Sequence, residues 1–82
     1  MLTARERDCL EYLEPRMEAN AAMIGDVIAP EIPNARNRTR YGEVVAESLR
    51  WHEPSLVTWI IELHAYRITK AGRAALANQA DC

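Results

Sequence analysis

Phenylalanine is missing from this chain, and the aromatic content of its 82 residues is two Trp and three Tyr. A chain this short buries only about 60 % of its unfolded surface, so Trp51 and Trp59 are expected in the core rather than as stacking platforms for bases. Cysteine is nearly absent. Cys9 and Cys82 stand at opposite ends, with neither the close spacing of a zinc knuckle nor a disulfide framework, and a reduced, intracellular protein is expected. His52 and His64 form no close ligand pair with either cysteine, which sets a metal site aside. His52 is expected to pack half-buried. No apolar run approaches the roughly 20 residues of a membrane helix. The opening segment, Met1 to Arg7, is polar and lacks the apolar core of a signal peptide, so the expected location is the cytoplasm. Gly25, Gly42 and Gly72 are isolated and form no phosphate loop. Neither paired carboxylates nor a nucleophile with its base can be picked out, so no enzymatic activity and no cofactor are expected. Repeats and low-complexity segments are also missing, and residues 1–82 read as one domain.

What is present is a globular composition, 49 % apolar and 27 % charged. The net charge of −2 hides an uneven distribution. Residues 1–35 set three arginines against seven carboxylates, net −4, whereas residues 36–73 set seven cations against four glutamates, net +3. Asp81 supplies the rest. The molecule is polarised, with its positive half beginning at Arg36.

Thr3-Ala4-Arg5-Glu6 is a capping box. The helix it opens places Leu10, Leu13 and Met17 on one stripe, with Cys9 beside it and Tyr12 off it. Pro15 leaves two possibilities: a helix ending near Leu13, or a kinked one running on to Glu18. A helix over 4–13 with a loose continuation is the preferred reading. Asn20 is expected to cap a short helix, Ala21 to Ala29, that buries Ala21, Ile24, Val27 and Ile28. Gly25 weakens that helix but permits close approach by a neighbour. Pro30 and Pro33 bracket a loop running to Ala35. Thr39 is the expected cap of a third helix, Arg40 to His52, buried along Tyr41, Val44, Val45, Ser48, Leu49 and His52. Its opposite face carries Glu43, Glu47, Arg50 and Arg40, and Pro54 ends it.

From Leu56 the chain reads LVTWIIELHAYRITKAGRAAL. An apolar, β-branched strand turns over Glu62-Leu63-His64-Ala65, and a second strand, Tyr66 to Thr69, leads to a helix that Thr69 can cap. In the first strand, Val57, Trp59, Ile61 and Leu63 share the face expected to be buried, and Ile60 on the other face is a candidate subunit contact. The segment Tyr66-Arg67-Ile68-Thr69-Lys70-Ala71-Gly72-Arg73-Ala74-Ala75-Leu76 resembles the last strand and following helix of winged helix-turn-helix domains, most of all those of MarR-type and PadR-type bacterial regulators. The wing of those proteins commonly ends in aromatic-x-aliphatic-Thr-x-x-Gly-Arg. With the order helix, helix, helix, strand, strand, helix, the resemblance extends over most of the chain. It implies a mainly α fold, with a three-helix core, a two-stranded wing and a C-terminal helix.

The resemblance also implies a recognition helix that enters the major groove by its N-terminal end. The residues there are Asn34-Ala35-Arg36-Asn37-Arg38-Thr39-Arg40-Tyr41. Arg36, Arg38 and Arg40 can fork onto guanine, Asn34 and Asn37 can pair with adenine, and Thr39 and Tyr41 can reach phosphates. Glu43, Glu47 and Arg50 on the outer face and His64 at the wing tip complete the expected contact set for double-stranded DNA. Taken alone, the basic stretch is equally a solvated polar loop. Glu43 and Glu47 repel phosphate, and the tip lacks the minor-groove arginine of MarR-type wings. The expected function is a small sequence-specific DNA-binding regulator of prokaryotic or phage type, nucleoid-associated and acting as a homodimer. The alternative is a winged-helix module that binds a protein partner.

Overall fold

A short chain must close its helix ends with its own side chains, and here it does so at every described N-terminus. The computed structural model describes residues 2–16 and 18–80, the side chains of residues 79 and 80 excepted. The elements run α1 (Ala4–Leu13), α2 (Ala21–Ile28), α3 (Ala35–Arg50), β1 (Val57–Ile60), β2 (Ala65–Ile68) and α4 (Lys70–Ala80). The architecture is mainly helical, with a two-stranded antiparallel sheet among the described residues.

The capping box forms as expected. The Thr3 hydroxyl accepts from the Glu6 amide at 3.1 Å, and the Glu6 carboxylate accepts from the Thr3 amide at 2.9 Å. Of the two possibilities at Pro15, the helix that stops at Leu13 is observed. Cys9, Leu10 and Leu13 are buried, while Met17, like Cys82, lies outside the described residues. Tyr12, expected off the stripe, packs half-buried against the core beneath the Arg16 guanidinium, 3.9 Å from its ring centre. The Asn20 side chain caps α2 by accepting from the Met23 amide at 2.9 Å.

The third helix departs from expectation. It begins at Ala35, and its cap is Asn34, whose Oδ1 accepts from the amides of Arg36 (2.9 Å) and Asn37 (3.2 Å). Thr39 lies inside the helix, donating its hydroxyl proton to the Ala35 carbonyl. The helix ends at Arg50, short of His52. Its buried residues are Gly42, Val45, Ala46 and Leu49, whereas Tyr41, Val44, Ser48 and His52 are exposed. The expected stripe is therefore rotated. The reason is that small residues, not large apolar ones, set this interface. A Cβ on Gly25 would sit 1.9 Å from the Arg38 carbonyl oxygen, and one on Gly42 would sit 2.4 Å from the Ala21 carbonyl oxygen. The backbones of α2 and α3 meet directly, and no side chain fits between them. The same contact turns Gly25 inward on α2 and leaves Val27, expected in the core, 43 % exposed.

In the hairpin, Val57 pairs with Ile68 and Trp59 with Tyr66. Those four face the core, Trp59 partly. β1 stops at Ile60, so the alternation that predicted Ile61 and Leu63 inside does not continue, and both are exposed. The turn is Ile61 to His64, one residue earlier than expected, and His64 closes it with φ of 48°, a left-handed conformation. Ile60 is half-buried on the outer face. Ala19, between α1 and α2, forms a one-residue bridge to the far side of β2, with bonds of 3.0 and 2.8 Å to the Tyr66 backbone. Thr69 caps α4, accepting from the Gly72 amide at 3.0 Å, and Gly72 lies flush against the Leu56 carbonyl. Leu10, Leu13, Ile24, Leu49 and Val57 are the large side chains at the centre. Cys9 lies among them, and burial pushes its thiol up to about 12. Among the described residues, no helix is long and apolar enough to cross a membrane.

Glycine to alanine in an open helix stabilises by about 1 kcal/mol. At Gly25 or Gly42 the sign reverses, because backbone must move away from backbone. Overpacking of this kind costs on the order of 3 kcal/mol or more, a fall in Tm of about 12 °C or more for a domain of this size. Thermal unfolding followed by circular dichroism of Gly42→Ala checks this, and an unchanged or raised Tm would contradict the packing described.

Candidate nucleic-acid interface

The start of α3 is fixed from three sides. Pro33 and Asn34 set its first turn, Gly42 seats its middle on α2, and Arg38 ties it to the preceding loop. The Arg38 guanidinium donates to the Asp26 carboxylate at 2.9 Å, to the Ile32 carbonyl at 2.6 Å and to the Pro33 carbonyl at 3.1 Å. Its side chain is 23 % exposed. Arg38 thus faces the domain, contrary to the expected three-arginine cluster. The cause is helical geometry. Residues two apart in a helix point about 200° away from each other, while residues four apart stack. Arg36 and Arg40 share a solvent-facing side one turn apart, and Arg38 is sent to the opposite one.

Both outward arginines are exposed. Neither makes an ion pair among the described residues, whereas Arg5, Arg7, Arg38, Arg50 and Arg67 each do. Asn37 is exposed in the same turns. The Asn34 side chain is occupied by the two amides it caps and is not available to pair with a base. Thr39 is half-buried. Tyr41 lies beneath the Arg5 guanidinium, 5.2 Å from its ring centre, and braces α1 against α3. Arg5 in turn donates to the Ile28 carbonyl and to Glu31.

The lower half of α3 is acidic and internally bonded. Glu43 is exposed as expected. Glu47 is not on the free face. It is half-buried beneath the hairpin, accepting from the Tyr66 hydroxyl at 2.6 Å, from the Trp51 indole at 2.9 Å and from Arg50 at 3.3 Å. Burial alone would raise the Glu47 carboxyl, but the bonds from Tyr66, Trp51 and Arg50 outweigh it and hold the group below the usual carboxylate range. Burial and then Glu47 push the Tyr66 phenol above its ordinary value. Arg50 is drawn onto Glu47 and over the Trp51 ring at 4.8 Å, which removes it from the expected contact set. His64 is exposed at the hairpin turn with its ring edge-on to Trp59, centroids 6.0 Å apart.

Two residues stand outside the places expected for them. Trp51, expected in the core, is 72 % exposed. His52, expected half-buried, is exposed beside it. Both follow the end of α3 at Arg50, so the buried stripe does not reach His52, and Trp51 stays outside the core that its size and the lack of Phe suggested for it. A missed contributor is Asp26, exposed on α2 twelve residues before the arginine it holds. Among the described residues no group of His, Cys, Asp and Glu is arranged to hold a metal ion.

Because the folded Glu47 carboxyl lies low, its contribution is complete above the ordinary carboxylate range and is lost as pH falls through the folded value. Glu47→Gln should flatten the acid limb of a Tm-against-pH curve as pH falls below the ordinary carboxylate range. Tyr66→Phe should cost about 1–2 kcal/mol at pH 7 by removing a charge-assisted bond. Acid limbs identical in wild type and Glu47→Gln would contradict the network. Comparison of the chain with protein-family models, with curated proteins and with solved structures gives no match.

Proposed function

We propose that this chain is a winged helix-turn-helix domain that binds double-stranded DNA through the first two turns of α3, acting at the nucleoid as a regulator of prokaryotic or phage type rather than as an enzyme. The observation that carries this reading is Arg36 and Arg40. They are two exposed guanidinium groups one turn apart at the positive end of a helix dipole, with no carboxylate of the described chain drawn onto them. Asn37 beside them supplies a donor–acceptor amide suited to an adenine edge. The element order, with α2 and α3 packed backbone to backbone and a hairpin following α3, supports the winged-helix assignment. So does the one-residue strand at Ala19, which occupies the position of a third strand against the hairpin. Arg38 positions the helix, holding the α2–α3 loop so that its neighbours project.

Glu47 lends partial support to the alternative of a protein-binding module, since it places a carboxylate near the wing. Its bonds to Tyr66, Trp51 and Arg50 remove much of that objection, because it is engaged within the domain and is not offered to an incoming phosphate.

Duplex binding measured by fluorescence anisotropy across a salt series tests the proposal. Affinity should fall steeply with salt, and the Arg36→Ala/Arg40→Ala double variant should lower the log–log slope by roughly 2, about 0.9 for each lost phosphate contact. Arg38→Ala should weaken the fold while leaving the slope of the folded fraction unchanged. No salt-dependent retention on duplex DNA at about 50 mM salt, where such contacts are strongest, would overturn it.

A further inference from the structure

Val44, expected inside, stands 62 % exposed on α3, because the contact closed on Gly25 and Gly42 rolls it outward. It lies one turn beyond Arg40 and two turns beyond Arg36, and residues four apart stack on one side of a helix. The two outward arginines and Val44 therefore form one row on the face offered to solvent. Glu43, exposed next to Val44, limits what this third turn can approach. A carboxylate is repelled by phosphate, and an isopropyl group gains nothing from it. Neither residue adds to a backbone contact, whereas both match groups on pyrimidine edges. Cytosine N4 donates to a carboxylate, and the C5-methyl of thymine is the apolar group that the major groove presents.

We infer that Val44 is a specificity-determining residue that packs on the C5-methyl of a thymine. The inference rests on the DNA reading above and extends the contact by one turn of α3. Arg36 and Arg40 bring the face to the duplex, and an apolar side chain carried into the major groove beside them has the thymine methyl as its partner. Arg40 and Val44 are about 6 Å apart along the helix axis, close to two base-pair steps of about 3.4 Å each. The thymine therefore falls within about two base pairs of the group that Arg40 contacts. One buried methyl group is worth about fourfold in affinity.

A duplex selected by the wild-type chain from a randomised pool supplies the probe. Each of its thymines is replaced in turn by deoxyuridine, which keeps the hydrogen-bonding groups and loses only the methyl. Wild-type affinity should fall about fourfold at one position. Val44→Ser, an exposed change that leaves the fold intact by circular dichroism, should bind the thymine duplex more weakly and the two duplexes alike at that position. Equal wild-type affinity for thymine and deoxyuridine at every position, with steep salt dependence, overturns the inference and leaves the DNA reading standing. So does a pool from which no sequence is enriched. A deoxyuridine penalty that persists in Val44→Ser overturns it too, since another side chain then meets the methyl. Absence of any duplex binding overturns both.

Discussion

Everything downstream of residue 20 depends on a contact in which no side chain takes part. Gly25 and Gly42 place the backbones of α2 and α3 against each other so closely that a single added methyl would overlap a carbonyl oxygen from either side. That contact decides which face of α3 is buried, and by subtraction which face is offered to solvent. It also rolls α2 so that Asp26 lies within reach of Arg38. Gly72 repeats the device at the other end of the molecule, seating α4 on the carbonyl of Leu56. In so small a domain, close approach replaces the aromatic bulk that the composition does not provide.

The orientation of α3 divides its charges into two groups with different roles. Arg38, Glu47 and Arg50 are spent within the domain, tying the helix to the loop before it and to the hairpin after it. Arg36 and Arg40 are left outward at the end where the helix dipole favours anions. The surface offered by α3 is therefore more basic at its start than the sequence count of arginines and glutamates along the helix suggests. Fixing the helix at both ends also limits the ordering that binding would require.

Local chemistry was the legible part of the fold. Thr3 with Glu6, Asn20 and Thr69 could be read as caps because the bonds they make are local and the residue types are specific. Pro15 bounded α1 and the hairpin followed from its β-branched run, whereas α3 ends at Arg50, before the limit that Pro54 sets. The start of α3 was misplaced because Asn34 and Thr39 are both competent caps, and the prolines before Asn34 suggested a longer loop. The stripe on α3 was rotated because counting large apolar residues gives no weight to Gly42 and Ala46, which are the ones in contact. Within the candidate site, Arg36, Asn37 and Arg40 could be named from sequence. The withdrawal of Arg38 could not, since it depends on Asp26 and on two loop carbonyls brought near only by the fold. Glu47 was likewise misjudged, because Tyr66, nineteen residues away, is its partner.

The central claim is that the outward face of the first two turns of α3 meets a polyanion. An NMR titration of the isotope-labelled chain with duplex DNA addresses it residue by residue. The account predicts backbone shift changes concentrated at residues 35–41, with the side chains of Arg36 and Arg40 broadened or shifted and that of Arg38 unmoved. Changes confined to the hairpin and α4, or no changes at all in low salt, would contradict it.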